Sequence, residues 1–71
     1  MRYFLINPTF TNEKIEISSI QVVKQIDAYI NKPIILGDEI LIVAQGLPTK
    51  LKLINKESNI AEFKQVKLRG I

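Results

Sequence analysis

The side chains that most often perform chemistry in proteins are scarce in this sequence. It contains no histidine, cysteine or tryptophan, so the hydroxyl groups of Ser18, Ser19 and Ser58 have no histidine to act as their general base. A lysine could replace that base in principle, but Ser18 stands at the start of a predicted helix and is better explained as its N-cap. Catalysis requires paired titratable groups in a pocket. We therefore predict that the protein is not an enzyme and has no catalytic residues.

Two pairs of carboxylates are close enough in sequence to contact a hard cation, Glu13 with Glu16 and Asp38 with Glu39. Neither pair supplies the number of oxygen ligands that a calcium loop provides, and a solvated loop and a turn explain them better. The three glycines are isolated from one another, so they form no phosphate-binding loop. The absence of cysteine excludes disulfides and thiolate metal sites. We expect neither a metal site nor a cofactor.

Basic residues are concentrated in the second half of the chain. Residues 1–39 carry four cations against five carboxylates, whereas residues 40–71 carry six against two, so the net charges are −1 and +4. Phe63 is the only aromatic residue of the basic half, which makes a poor stacking platform for single-stranded nucleic acid. The lysines could instead be solvent-facing charges that protect a β-protein from aggregation. The candidate phosphate-binding residues are Lys50, Lys52, Lys64, Lys67 and Arg69.

Branched aliphatic side chains are abundant, with 13 isoleucines, 7 leucines and 4 valines among the 71 residues. A domain of this length buries only about 60% of the surface that its unfolded chain exposes. Part of the aliphatic surface is therefore expected to stay outside the core, where it favours contact with a partner or with a second copy of the chain.

The clearest local pattern predicts a helix from about Ser19 to Ile30. Ser18 suits the N-cap position with Gln21 at N3, which would form a capping box, and Pro33 prevents the helix from continuing. Because the helix has one apolar stripe, it is expected to pack on a single surface, most simply a sheet. The stripe consists of Val22, Val23, Ile26, Tyr29 and Ile30.

Strands are predicted on both sides of the helix, because apolar residues there recur with a period of two. The turns of the two hairpins after the helix are placed at Gly37-Asp38 and at Gly46–Thr49. The predicted strands are Arg2–Ile6, Lys14–Ile17, Pro33–Leu36, Glu39–Gln45 and Lys50–Asn55.

The second hairpin is predicted to have one face for the core and one for contacts. Placing Gln45 opposite Lys50 puts Ile42 opposite Leu53. The core face then carries Ile40, Ile42, Ala44, Leu51 and Leu53, and the other face carries Leu41, Val43, Gln45, Lys50, Lys52 and Ile54. A helix of about 12 residues covers one face of a small sheet and not two. Leu41, Val43 and Ile54 are therefore the predicted partner-binding residues.

The last segment, about residues 59–69, fits either a strand or a helix. In a strand, Ala61 and Phe63 share a face, but Val66 returns to that face only if a bulge lies near Lys64-Gln65. In a helix, an asparagine cap and a glutamate at N3 would mark the start. The alternation of polar and apolar residues towards the end favours the strand.

Together these patterns predict a single domain over residues 1–71 with an α+β fold, in which one amphipathic helix packs on a small, mostly antiparallel sheet of four or five short strands. The predicted function is that of a small non-enzymatic protein-interaction module, or a structural component of a larger assembly or homo-oligomer, that contacts its partner through a sheet face or edge. The alternative is a small basic nucleic-acid-binding protein that uses the lysine-rich C-terminal sheet. Since neither a secretory signal nor a run of roughly 20 apolar residues is visible, we expect no membrane contact and a cytoplasmic location.

Overall fold

The computed structural model describes residues 1–7 and 13–66, which form one helix and five strands. In chain order these are β1 Arg2–Asn7, β2 Glu13–Glu16, α1 Ile20–Ile30, β3 Glu39–Ala44, β4 Leu47–Lys56 and β5 Ile60–Val66. The strands form one sheet in the order β2-β1-β5-β4-β3. Neighbouring strands are antiparallel except β1 and β5, which run parallel. The predicted α+β fold, with one helix on a mostly antiparallel sheet, is confirmed.

Helix α1 begins one residue later than predicted. Its N-cap is Ser19, whose hydroxyl oxygen accepts a hydrogen bond from the Val22 N–H at 3.4 Å. The predicted cap at Ser18 with Gln21 at N3 is therefore wrong by one residue. Two adjacent serines have the same capping chemistry, so residue type alone does not choose between them. The predicted end of the helix at Ile30 is confirmed.

The core lies between α1 and the side of the sheet that faces it, which we call the core face; the opposite side is the outer face. Core residues alternate with exposed ones along β3 and β4, because successive side chains of a strand point to opposite faces. The rings of Tyr3 and Phe63 meet edge to face with centroids 6.2 Å apart. The buried apolar residues are Tyr3, Val22, Ile26, Ile40, Ile42, Leu51, Leu53, Ala61 and Phe63.

The hairpin of β3 and β4 turns at Gln45-Gly46, which corrects the predicted turn at Gly46–Thr49. The φ angles of the two turn residues are 54° and 76°, and positive φ at both central residues is the mark of a type I′ turn. The first position of this turn is usually Asn, Asp or Gly. Because glutamine is uncommon at this position, the sequence pattern does not indicate a turn at Gln45 and predicts it further along the chain.

The shorter turn changes the pairing of the hairpin but not its faces. Ile42 lies opposite Thr49 rather than opposite Leu53, so the predicted register is wrong. The observed partner of Ile42 lies four residues before the predicted one in β4. Because side chains alternate with a period of two, an even displacement returns every residue to the same face. The predicted core face of this hairpin is therefore correct, with four residues buried and Ala44 half-buried at the tip.

The segment between α1 and β3 is a loop, which corrects the predicted strand Pro33–Leu36. Asp38 closes a turn within it: its N–H donates to the Ile35 carbonyl at 3.0 Å, and its Oδ2 accepts from the Ile35 N–H at 2.9 Å. Gly37 has a φ of 94°, a conformation that favours glycine. Leu53 of β4 holds this loop through two backbone hydrogen bonds, one to the Gly37 N–H and one to the Asp38 carbonyl.

Strand β5 resolves the ambiguity of the last segment in favour of a strand over the residues that are described. Ala61 and Phe63 share the core face, as predicted. The irregularity lies in β4 between Leu53 and Asn55, where a bulge inserts one extra residue opposite β5. The predicted bulge near Lys64-Gln65 is therefore wrong. Residues 67–71 lie outside the described part of the chain.

Candidate interaction surface

The outer face is the large surface that the helix leaves open. Helix α1 has 11 residues, so it is about 16 Å long, and it packs on the core face beside β3. Among residues 1–7 and 13–66, no second helix lies on the outer face. On that face Leu41 and Val43 are each 52% exposed. These two aliphatic side chains on one short strand form an apolar patch, and exposing apolar surface to water is unfavourable.

The three predicted partner-binding residues are not all brought together. Leu41 lies opposite Lys50 and Val43 opposite Pro48, so the two aliphatic residues are neighbours at one end of the outer face. Ile54 is displaced by the bulge and lies at the other end of β4. Six residues of strand, about 20 Å, separate Pro48 from Ile54. We call Leu41 and Val43 the apolar pair and leave Ile54 out of it.

Three of the predicted phosphate-binding residues do come together. Lys52 of β4 lies directly opposite Lys64 of β5, and Lys50 lies two residues from Lys52 on the same face. The Nζ atom of Lys50 is 3.6 Å from a carboxylate oxygen of Glu39. Within the described residues, Lys52 and Lys64 form no ion pair. We call Lys50, Lys52 and Lys64 the lysine cluster; the other two candidates, Lys67 and Arg69, lie outside the described residues.

The opposite half of the outer face is neutralised by its own ion pairs. The guanidinium of Arg2 donates two hydrogen bonds to the carboxylate of Glu16, at 2.9 and 3.0 Å, and lies 5.1 Å from the centroid of the Phe4 ring. The hydrogen bond from Arg2 is the main reason why the pKa of Glu16 is lowered from its usual value. In this half, the described charges are therefore paired with charges of opposite sign.

Glu62 is a buried carboxylate at the centre of this neutralised half, with only 7% of the residue exposed. The Nζ atom of Lys14, from the edge strand β2, lies 2.5 Å from its Oε2 atom, and Asn55 Nδ2 donates to Oε1 at 3.3 Å. The contact with Lys14 is the largest cause of the lowered pKa of Glu62, and desolvation acts in the opposite direction. Sequence reasoning missed this pair, since it forms only when β1 lies between β2 and β5.

We expect Glu62→Gln to flatten the acid limb of the stability profile. A carboxylate whose pKa is lowered on folding stabilises the protein above its usual pKa of 4.5 and loses that contribution as the pH falls. The melting temperature of the wild type should therefore drop between pH 5 and pH 3 more steeply than that of the variant. Glu13→Gln is a matched control, because Glu13 is exposed and outside the described ion pairs. Equal acid limbs for wild type and Glu62→Gln would contradict the prediction.

The free edge of β3 is paired with side chains of α1. The amide of Gln25 donates to the Val43 carbonyl and accepts from the Val43 N–H, both at 2.8 Å, as the peptide group of a neighbouring strand would. The Tyr29 hydroxyl donates to the Leu41 carbonyl at 2.9 Å. Unpaired edge groups invite another strand. Gln25 lies outside the predicted apolar stripe of the helix, and the sequence pattern shows no partner for it, so this contact was not predicted.

Gln25→Leu should leave the backbone N–H and carbonyl of Val43 at the β3 edge without their side-chain partner. We expect the variant to lose about 1–2 kcal/mol of unfolding free energy, because two hydrogen bonds to one peptide group disappear, and to self-associate more readily. Urea unfolding and light scattering measure the two effects. Gln21→Leu is the matched control, since it makes the same change one turn earlier on an exposed side chain. If both variants behave alike, Gln25 does not protect the edge.

A cavity of about 330 Å³ lies on the core face, between the start of α1 and the β3–β4 hairpin. Ile42 and Leu51 contribute to its apolar wall, and Gln45 and Gln65 are among its polar residues. The described residues that line it include no ionisable side chain, so they supply no acid or base. The described residues also contain no group of three or more potential metal ligands.

Comparison with protein-family models, curated proteins and solved structures found no match to this chain. Among residues 1–7 and 13–66, no helix is both long and apolar enough to cross a membrane. The fold and the surface together define a small α+β protein whose sheet is covered on one side by a helix and carries an apolar pair beside a lysine cluster on the other side.

Proposed function

We propose that this protein is a small non-enzymatic interaction module that binds a protein partner through the outer face of its sheet. The observation that carries the proposal is the apolar pair, Leu41 and Val43, exposed side by side on the face that α1 does not cover. Burying such side chains against a partner removes apolar surface from water, at about 25 cal/mol per Å². A second copy of the chain would satisfy the same requirement as a different protein.

Two features support binding by side chains of the outer face rather than by addition of a strand. The backbone of Leu41 and Val43 at the β3 edge is already paired with Gln25 and Tyr29. The opposite edge strand, β2, is only four residues long and three of them are charged. Short, charged strands are a common protection against edge pairing. The side chains of the apolar pair remain exposed beside these protected edges.

The lysine cluster supports the second candidate function, nucleic-acid binding. Lys52 and Lys64 lie side by side without an ion pair among the described residues and could neutralise neighbouring phosphates. Among the described residues the single guanidinium is that of Arg2, which is already bonded to Glu16, so it is not available to read base edges. Binding of this kind would be weak, independent of base sequence and lost with added salt.

A photo-crosslinking residue at position 43 tests the proposal in cells that produce the protein. We expect adducts with protein from position 43, and fewer of them when Leu41→Asp is added. Position 24 is the control, because Lys24 is exposed on α1, away from the outer face. Equal adducts from positions 43 and 24 would refute binding at the apolar pair. Adducts with nucleic acid from position 52 instead would favour the second function.

A further inference from the structure

We infer that the partner of the outer face is an acidic protein segment, with carboxylates that contact Lys52 and Lys64 and aliphatic side chains that contact Leu41 and Val43. The inference rests on the proposed function, since it names the chemistry of the partner that this surface binds. It follows from the distribution of charge over the outer face and from the position of the apolar pair within it.

In the described part of the chain, the outer face has more cations than carboxylates, and the excess lies at one place. Its described cations are Arg2, Lys14, Lys50, Lys52 and Lys64, and its carboxylates are Glu16, Glu39 and Glu62. Each carboxylate is committed to a separate cation: Glu16 to Arg2, Glu62 to Lys14 and Glu39 to Lys50. Among the described residues Lys52 and Lys64 remain, so the unmatched positive charge of this part of the face lies on a single cross-strand pair.

This arrangement has a cost in the isolated molecule. Residues directly opposite each other in an antiparallel pair have Cβ atoms about 4.5–5.5 Å apart, and like charges there are destabilising. Lys52 faces Glu39 across the β3–β4 pair, yet the carboxylate of Glu39 contacts Lys50 instead. A carboxylate brought by a partner would contact both ammonium groups and relieve their repulsion. Charge complementarity therefore calls for an anion at this position.

The surroundings of the cation pair favour a protein anion. Ile6 of β1 lies directly opposite Lys64, and Leu41 lies beyond Lys50, about two residues, or roughly 7 Å, from the pair along the sheet, so aliphatic side chains adjoin the pair. Within the described part of this half no aromatic side chain is available for base stacking, and Phe4 lies on the other half beneath Arg2. A segment that combines Asp or Glu with Leu, Ile or Val matches both parts of the surface. A nucleic acid matches the charge alone.

Selection from a library of random 12-residue peptides displayed on phage tests this inference. Peptides that bind the wild-type protein should be enriched in Asp and Glu together with aliphatic residues. Their affinity should fall about tenfold or more for the double variant Lys52→Glu/Lys64→Glu. Lys24→Glu/Lys56→Glu is the matched control, because it makes the same change of charge at exposed positions off the outer face, one on α1 and one opposite the core-face residue Ala61, and should leave affinity unchanged.

The outcomes separate this inference from the proposed function. One outcome would overturn the inference and leave the proposed function standing. In it, Leu41→Asp abolishes binding of the selected peptides, but the peptides show no acidic bias or still bind when the charges at positions 52 and 64 are reversed. If no selected peptide depends on Leu41 or Val43, both are overturned. Binding of a random oligonucleotide that exceeds peptide binding and is lost in Lys52→Glu/Lys64→Glu would also overturn the inference, in favour of nucleic acid.

Discussion

Ile42→Asp should unfold the protein, whereas Val43→Asp should leave it folded and abolish binding by the outer face. Ile42 is 3% exposed on the core face, and a carboxylate there would have no described cation beside it. Burying an unpaired carboxylate costs at least several kcal/mol, which is comparable to the whole stability of a domain, about 5–15 kcal/mol. Val43 is 52% exposed, so a carboxylate at that position stays in water.

The backbone contacts of residue 43 are retained in the second variant. The amide of Gln25 binds the peptide group of Val43 and not its side chain. Circular dichroism reports folding of both variants, and crosslinking from position 41 reports binding. A folded Ile42→Asp together with an unfolded Val43→Asp would show that the two faces of β3 have been assigned the wrong way round.

The sequence was sufficient for the faces of the β3–β4 hairpin but not for its register. A period of two in apolar residues determines which side chains share a face, and it tolerates any even displacement of one strand along another. The correct pairing of Ile42 with Thr49 depends on a two-residue turn that begins at Gln45, a residue that does not signal such a turn. The core of the hairpin was therefore predictable, whereas its hydrogen-bond partners were not.

The candidate surface was predictable to a similar extent. Alternation placed Leu41, Val43, Lys50 and Lys52 on the outer face, because it needs only the sequence of each strand. Whether two residues are neighbours across strands depends on strand order and on bulges. Lys52 opposite Lys64 requires the pairing of β4 with β5, and the separation of Ile54 from the apolar pair requires the bulge in β4. These features arise from contacts distant in sequence and leave no local pattern.

The hydrogen bonds between α1 and the strands could not be predicted from the sequence for the same reason. Gln25 and Val43 are 18 residues apart, and Tyr3 and Asp27 are 24 apart. Each pair joins α1 to a strand, so it exists only after the helix has docked on the sheet. A polar residue at the margin of an apolar helix stripe is compatible with solvent exposure as well as with such a contact.

Tyr3→Phe should lower the unfolding free energy of the protein by about 2 kcal/mol at neutral pH. This value is expected because a hydrogen bond to a charged group usually contributes about 1.5–3 kcal/mol. Tyr3 is 2% exposed, and its hydroxyl donates to the carboxylate of Asp27 on α1. This is the described side-chain hydrogen bond that ties β1 to the helix, while the ring itself packs on Phe63. Phenylalanine retains the ring contact and removes only the hydroxyl.

The same contact should make the protein sensitive to alkali. Burial, together with the hydrogen bond to Asp27 and its negative charge, raises the pKa of Tyr3 well above its usual value of 10. Below pH 10 the hydroxyl is protonated in both the folded and unfolded states. As the pH rises further, the unfolded state releases its proton first and becomes relatively more stable, so the contribution of Tyr3 to folding is progressively lost.

Urea unfolding at pH 8 and at pH 11 measures this effect. The difference in unfolding free energy between wild type and Tyr3→Phe should be largest at pH 8 and should shrink at pH 11, because only the wild type carries the hydroxyl that must stay protonated. Tyr29→Phe is the matched control, since it removes a hydroxyl that donates to the neutral carbonyl of Leu41. If Tyr3→Phe and wild type lose stability equally between the two pH values, the Tyr3–Asp27 contact does not govern the alkaline limb.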